Sequence, residues 1–516
     1  MSNIKSLFLV GFLLALSSCT VYKKVDLPSQ NTIQGYQGDN PEEAKQVAQE
    51  NAKRLEVYNA EKPFIKNSDN LEWGLAMSGG GVRSATYNFG ALKALYDMGW
   101  LQKMQIISSV SGGGYQSYAL YTNFYMHNSD SVKPFGYFTF SDDYFLQNVC
   151  KQQGLANFVN NWKYVQAIVS PPKGAFNIYK NQIQRSYGNE APSTLKITDL
   201  NQEIKRGEAP YFIINTTLTS TKESDWASSL VEFTPAFYGN PELGFYSYNA
   251  NNPIYWSEAT TISAAALKFK LLHKVPYLGN AITLDYLALS DGGHSENLAA
   301  IALIRRRVKN IVIIDAEHND NYSFDGYKIL KTKLQNELNL NLNIKTIDDY
   351  LMQREVDSTS ILKTAVHYGT ISKIPMSTEQ QDGLEINIYY IKMSMPQNML
   401  AQRRNLHMIE DGRELNNLFK NTTCKQYKPN GNCKTNHDCS AWQETKSINL
   451  NNLALFWIET YATFLNNKKK WKRLGYTFPH TTTADQSFYR DQLAAFIGLG
   501  YLQGLELKKS FGLVPD

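Results

Sequence analysis

The chain has 516 residues, 43% hydrophobic and 12% aromatic, and a formal net charge of +5. That composition can fill a substantial core and excludes wholesale disorder, and the length allows one large domain or two smaller ones. The balance is only mildly basic and carries no block of like charge long enough for a nucleic-acid tail, so nucleic acid is not an expected partner.

At the N-terminus, Lys5 precedes the apolar run Leu7–Leu16, followed by Ser17, Ser18 and Cys19. A charged start, a short apolar core and small residues before a break form a secretory signal, and this run is too short to span a bilayer as a helix. The ending Leu16-Ser17-Ser18-Cys19 resembles the lipobox of bacterial lipoproteins. That resemblance implies a signal peptide over 1–18, a lipidated Cys19, and a membrane-anchored protein with the outer membrane or periplasmic face favoured. Residues 19–70 read as a polar tether in which Asn40-Pro41-Glu42-Glu43 opens a short helix, and 71–516 as the globular body.

From Leu71 the pattern changes. Leu71–Met77 is a strand candidate, Ser78-Gly79-Gly80-Gly81-Val82-Arg83 a glycine turn, and Ser84–Trp100 a helix ending near Gly99. A second strand over Gln105–Val110 breaks at Ser111-Gly112-Gly113-Gly114 and continues as a helix toward Met126. Further buried strands are expected at Tyr211–Asn215, Tyr286–Ser290 and Ile311–Asp315, with a helix over Asn297–Arg307. Strand, turn and helix in alternation predict an α/β fold on a mainly parallel central sheet. The stretches 128–202 and 317–361 read as insertions. Cys150 stands alone, whereas Cys424, Cys433 and Cys439 share a polar loop, where a disulfide or a zinc site with His437 are both open. The run Lys468-Lys469-Lys470-Trp471-Lys472-Arg473 suits anionic headgroups or the solvated end of a helix begun near Asn452.

Three glycine-flanked positions can carry chemistry. Ser111 sits where a strand turns sharply into a helix, the setting of a nucleophile elbow, with Gly112 and Gly113 after it. The usual first glycine of that pattern is Ser109 here. Consecutive glycines 79–81 allow main-chain amides to converge on an oxyanion, and they match neither a P-loop nor a dinucleotide fingerprint. Arg83 either adds positive charge there or pairs with a structural carboxylate. Asp291, followed by Gly292 and Gly293, can accept a hydroxyl proton, although an ordinary Asp-Gly turn reads the same way. Of eight histidines, His294 lies too near Asp291 in sequence to bridge it to Ser111, while His318 and His480 remain conceivable triad members.

Taken in order, Gly79-Gly80-Gly81-Val82-Arg83, Ser111-Gly112-Gly113 and Asp291-Gly292-Gly293 resemble the patatin-like phospholipases, in particular the branch similar to the catalytic module of cytosolic phospholipase A. Glu232-Phe233-Thr234-Pro235, Ser263-Ala264-Ala265-Ala266, Arg305-Arg306-Arg307 and Phe478-Pro479-His480, with Gln492 and Leu499-Gly500, extend the resemblance over about 71–500. It implies a three-layer α/β/α fold and a Ser-Asp dyad of Ser111 and Asp291. It also implies an oxyanion hole at Gly79, Gly80 and Gly81 with Arg83 supporting that loop, no metal or other cofactor, and a phospholipid or other acyl-ester lipid as substrate. An acyltransferase or thioesterase with the same dyad, or a catalytically silent lipid- or partner-binding lipoprotein, are the alternatives.

Overall fold

A computed structural model of the chain describes residues 61–126, 140–151, 172–188, 193–218, 230–240, 244–246, 248, 253–264, 273–278, 284–319, 321–373, 385–397, 399, 449–466, 478–481, 488 and 490–511. Cys19, the tether helix, the cysteine loop, the side chain of Cys150 and the cationic run at 468–473 lie outside the described residues.

In chain order the first elements are β1 (Trp73–Met77), α1 (Gly81–Asp97), β2 (Ile106–Val110), α2 (Gly112–Leu120), α3 (Asp142–Lys151), α4 (Pro172–Tyr187) and α5 (Asn201–Lys205). Then come β3 (Tyr211–Leu218), β4 (Leu230–Phe233), β5 (Tyr238–Asn240), β6 (Gly244–Tyr246), α6 (Trp256–Ser263), β7 (His273–Leu278), β8 (Leu284–Asp291) and α7 (Ile301–Arg305). The last are β9 (Asn310–Asp315), α8 (Asp325–Leu338), β10 (Leu340–Asn343), α9 (Lys345–Val356), β11 (Val366–Lys373), β12 (Glu385–Lys392), α10 (Leu450–Asn466) and α11 (Arg490–Phe511). The class is mixed α/β, as expected, with parallel strand pairs in each of the two units described below.

Strands β1, β2, β3 and β9 are buried along almost their whole length. Such runs belong to central strands covered on both faces. Two helices differ from expectation for local reasons. The first starts at Gly81 rather than Ser84, because Gly80, at a φ of 139° that side chains rarely adopt, turns the chain straight into it. It ends at Asp97, and Gly99 at φ 73° closes it. The helix expected over Asn297–Arg307 shortens to α7. The Glu296 carboxylate takes the amides of Leu298, Ala300 and Ile301, so the preceding turn is held by a side chain instead of a helical ladder.

The described residues fall into two compact units, the first drawn from the segments ending at Gly79, from Gln105–Phe135 and from Asn160–Lys309. In it β1, β2 and β3 run parallel, and β4, β5 and β6 continue antiparallel from β3. Strand β8 pairs antiparallel with both β3 and β7. Helices α2, α4 and α6 pack on one another, and α6 lies on β3. Trp256 of α6 anchors this layer, with ring centroids 4.0 Å from Phe212 and 5.0 Å from Tyr121.

The second unit comprises Gly80–Met104, Gly136–Val159 and Asn310–Asp516. Here β9 and β12 are parallel, and β11 and β10 extend the sheet antiparallel. Residues 317–361, expected as an insertion, thus supply a strand of the sheet along with α8 and α9. Helices α1 and α11 approach closely through glycine. A Cβ at Gly90 would overlap the Ile497 carbonyl, and one at Gly500 the Tyr87 carbonyl. Under them Lys392 and Asp315 form a fully buried ion pair at 2.7 Å. Among the described residues, no helix is long and apolar enough to cross a membrane.

Candidate active site

Strand β3 is the template on which the site is assembled. Its first half pairs in register with β2, ending with Val110 opposite Asn215. Its next residues pair with β8, beginning with Asp291 opposite Thr216. The C-terminal ends of β2 and β8 therefore arrive at consecutive residues of β3, and the residue after Val110 meets the last residue of β8.

That residue is Ser111, held at φ 50° and ψ −118°, a conformation costly for any residue with a Cβ. The turn stays this sharp because its neighbours are small. A Cβ on Gly113 would overlap the Met77 carbonyl, and the Gly113 amide instead donates to the Ser78 carbonyl at 3.1 Å. Ser109, standing where the elbow pattern has glycine, fits without exposure, its hydroxyl donating to the Ile213 carbonyl at 3.4 Å. Gly112 opens α2 directly after Ser111.

The Ser111 hydroxyl donates to Asp291 Oδ2 at 3.0 Å, and the Gly293 amide donates to Asp291 Oδ1 at 2.7 Å. Both side chains are almost fully buried. Burial pushes the Asp291 carboxyl up from its ordinary 3.8 to about 6, against the pull of the Gly293 amide and the Ser111 hydroxyl. Gly292 permits the approach, because a Cβ there would overlap the Asn215 carbonyl and Val110. A carboxylate held this way, bonded to a hydroxyl on a strained turn, is equipped to take the hydroxyl's proton.

Gly79 belongs to the same unit. Its amide donates to the Asn297 carbonyl at 2.9 Å, and a Cβ on it would fall on Asn297 Oδ1 and 3.2 Å from Ser111 Cβ. Its amide is thus committed, and its role here is to leave room beside Ser111. Gly80, Gly81 and Arg83 open the second unit. There the buried Arg83 guanidinium donates through Nε to the Ala316 carbonyl at 3.2 Å and through Nη1 to the Thr481 carbonyl. These bonds make it a brace between two main-chain segments, which is neither of the two uses weighed from the sequence. Burial lowers its pKa to about 10, with Glu317 and Asp315 opposing.

His294 is exposed and pairs with Ser290, Nδ1 to Oγ at 3.1 Å. His318 and His480 belong to the second unit, where the His480 ring accepts the Asn319 amide at 3.4 Å and burial holds that ring neutral. Among the described residues no cluster of three or more His, Cys, Asp or Glu could hold a metal ion. Sequence reasoning missed Asn215 as a site residue. Its Nδ2 donates to Ser108 Oγ at 2.8 Å and to the Ser109 carbonyl at 3.0 Å. The available signal was an amide closing the otherwise apolar run Tyr211–Ile214.

No family model and no curated protein matches this chain. Among solved structures it is similar to human GIVD cytosolic phospholipase A2, at 12% identity and a TM-score of 0.46, over 90% of this chain and 64% of that one. The chain therefore spans less than two thirds of that protein's length. VipD from Legionella pneumophila is similar at 12% identity and a TM-score of 0.23, covering 84% of this chain and 92% of that one. The type III effector protein ExoU follows at 13% identity and a TM-score of 0.18, over 83% and 78%. These likenesses are remote, and the chemistry rests on the side-chain geometry above.

Proposed function

We propose that the chain is a serine acyl hydrolase acting on lipid esters, with Ser111 as nucleophile and Asp291 as general base. The observation that carries this reading is the 3.0 Å hydrogen bond from the Ser111 hydroxyl, on a strained strand-to-helix turn, to a buried carboxylate. The three glycine blocks that resemble patatin-like phospholipases contain both residues.

In the reaction Asp291 Oδ2 takes the Ser111 proton as Oγ attacks the ester carbonyl. The tetrahedral oxyanion is held by main-chain amides, for which the sequence nominates Gly79, Gly80 and Gly81, the first already donating to the Asn297 carbonyl. Collapse breaks the ester C–O bond, and the leaving alkoxide recovers the proton from Asp291, leaving an acyl-Ser111 ester. A water that gives its proton to Asp291 then attacks that ester. Its collapse releases the fatty acid, and the Asp291 proton returns to Ser111. The raised pKa suits Asp291 to carry that proton in both halves of the cycle.

Lipid is the proposed substrate class because the glycine blocks resemble a lipid-hydrolysing family and Leu16-Ser17-Ser18-Cys19 resembles a lipobox. Anchoring through Cys19 would deliver the site to a bilayer surface. The test is covalent labelling by an alkyl fluorophosphonate together with phospholipid hydrolysis. Wild-type protein should show both, and Ser111→Ala should lose both while keeping its circular dichroism. Undiminished hydrolysis in that variant sinks the reading.

A further inference from the structure

A residue at positive φ needs its surroundings to hold it there, and the bonds that hold Ser111 are specific. The amide of Ser111 donates to Ser263 Oγ at 2.9 Å. The Ser263 hydroxyl donates in turn to the Asn215 carbonyl at 2.6 Å. A hydroxyl has one proton and two lone pairs, so these two bonds fix both its rotamer and its direction. Ser263 and Asn215 are fully buried, leaving no water to replace either partner. The same Asn215 carbonyl abuts Gly292 on the acid's turn, and the Asn215 side chain grips the end of β2 at Ser108 and Ser109.

We infer that Ser263, the last residue of α6, is a positioning residue for the nucleophile: its hydroxyl clamps the strained Ser111 backbone to β3 beside the turn that carries Asp291. The inference rests on Ser111 being the nucleophile. Ser263 reaches the reaction through the Ser111 amide and touches neither the carboxylate nor, on this reading, the substrate. Without the clamp the Ser111 amide is a buried donor with no acceptor. The turn then relaxes toward ordinary φ, moving Oγ off its line to the ester carbonyl.

The isosteric pair Ser263→Thr and Ser263→Val tests this, because the two side chains share shape and differ by the hydroxyl. Both would be measured as full-length protein, with fluorophosphonate labelling rates and steady-state kinetics taken on the folded fraction from gel filtration. The Val variant should label about 10- to 100-fold more slowly than the Thr variant, with kcat reduced by the same factor and KM unchanged. Equal labelling rates for the pair overturn the inference, as does a rise in KM at constant kcat, which would mark a substrate contact. Ser111→Ala run alongside separates the two failures. If it keeps full activity the hydrolase reading itself is wrong, whereas if it is inactive and the Thr and Val variants match, only the clamp is wrong.

Discussion

Ser111 and Asp291, 180 positions apart in the chain, are joined by a 3.0 Å hydrogen bond from hydroxyl to carboxylate. The bond follows from register. Val110 stands opposite Asn215 and Asp291 opposite Thr216, so two strands that never pair with each other end at adjacent residues of a third. Side chains at such a junction are held by two ladders of main-chain hydrogen bonds, which makes their separation a rigid property of the sheet.

The pH response of that pair has a definite sign. On the proposed mechanism ionised Asp291 is the base, so the rate should climb with pH and level off above about 6, with an acid limb whose midpoint reports this carboxyl. Stability runs the other way. The folded carboxyl holds its proton to a higher pH than the unfolded one, whose value lies near 3.8, so native stability falls as pH rises between about 4 and 6. Asp291→Asn removes that penalty. At pH 7 it should gain on the order of 2–3 kcal/mol in urea unfolding, and no such gain should appear near pH 3. The same variant should lose about 10²–10⁴ in rate.

Gly113 and Gly114 are neighbours in the first turn of α2 but should respond oppositely to the same change. A Cβ at Gly113 meets the Met77 and Ser78 main chain, which cannot yield without moving β1 and the loop after it. Gly113→Ala should cost at least about 1–3 kcal/mol and most of the labelling rate. At Gly114 the nearest atom to a new Cβ is 3.7 Å away, an ordinary contact. Gly114→Ala should keep activity and, by replacing a helical glycine, gain up to about 1 kcal/mol. Urea midpoints and labelling on both variants would check the contrast.

Arg306 holds two buried carboxylates. Its Nε and Nη2 grip Glu61 at 2.7 Å each, and Nη2 also reaches Glu232 Oε2 at 2.7 Å. Tyr211 donates to Glu61 at 2.7 Å as well. Arg306→Met would strand both acids in the core and should cost about 3–5 kcal/mol, read from chemical denaturation. Arg306→Lys should recover only part of this, since an ammonium cannot reproduce the planar fork.

Anchoring through Cys19 has its own test. Expressed in a bacterial host that processes lipoproteins, the wild-type chain should incorporate labelled palmitate and sediment with membranes. Cys19→Ser should abolish the incorporation and leave the protein in the soluble periplasmic fraction. Equal palmitate incorporation by the two would remove lipidation at Cys19 from the proposal.

Much of the frame was legible in the sequence because its signals are local. The apolar runs ending at Met77, Val110 and Asp315 correspond to β1, β2 and β9. Glycine after a strand marked each sharp turn. Boundaries moved where a side chain replaced the expected cap, as Glu296 does before α7, or where positive-φ glycines sent the chain into α1 early. The stretch 317–361 lacked an obvious place because β10 is short and polar, and it becomes a strand through its partner β11.

By itself, the order of residues determined which groups are available: a small-residue turn at Ser111, an acid-glycine turn at Asp291 and three consecutive glycines at 79–81. It did so because the steric freedom of glycine and the chemistry of a hydroxyl or carboxylate are properties of single residues. Tertiary structure alone decided which of these groups meet. It brought Asp291 to Ser111, committed the Gly79 amide to Asn297, and recruited Asn215 and Ser263 to hold the strained turn. Those outcomes depend on strand register across β3 and on burial that removes competing water, and neither is encoded in any local stretch of chain.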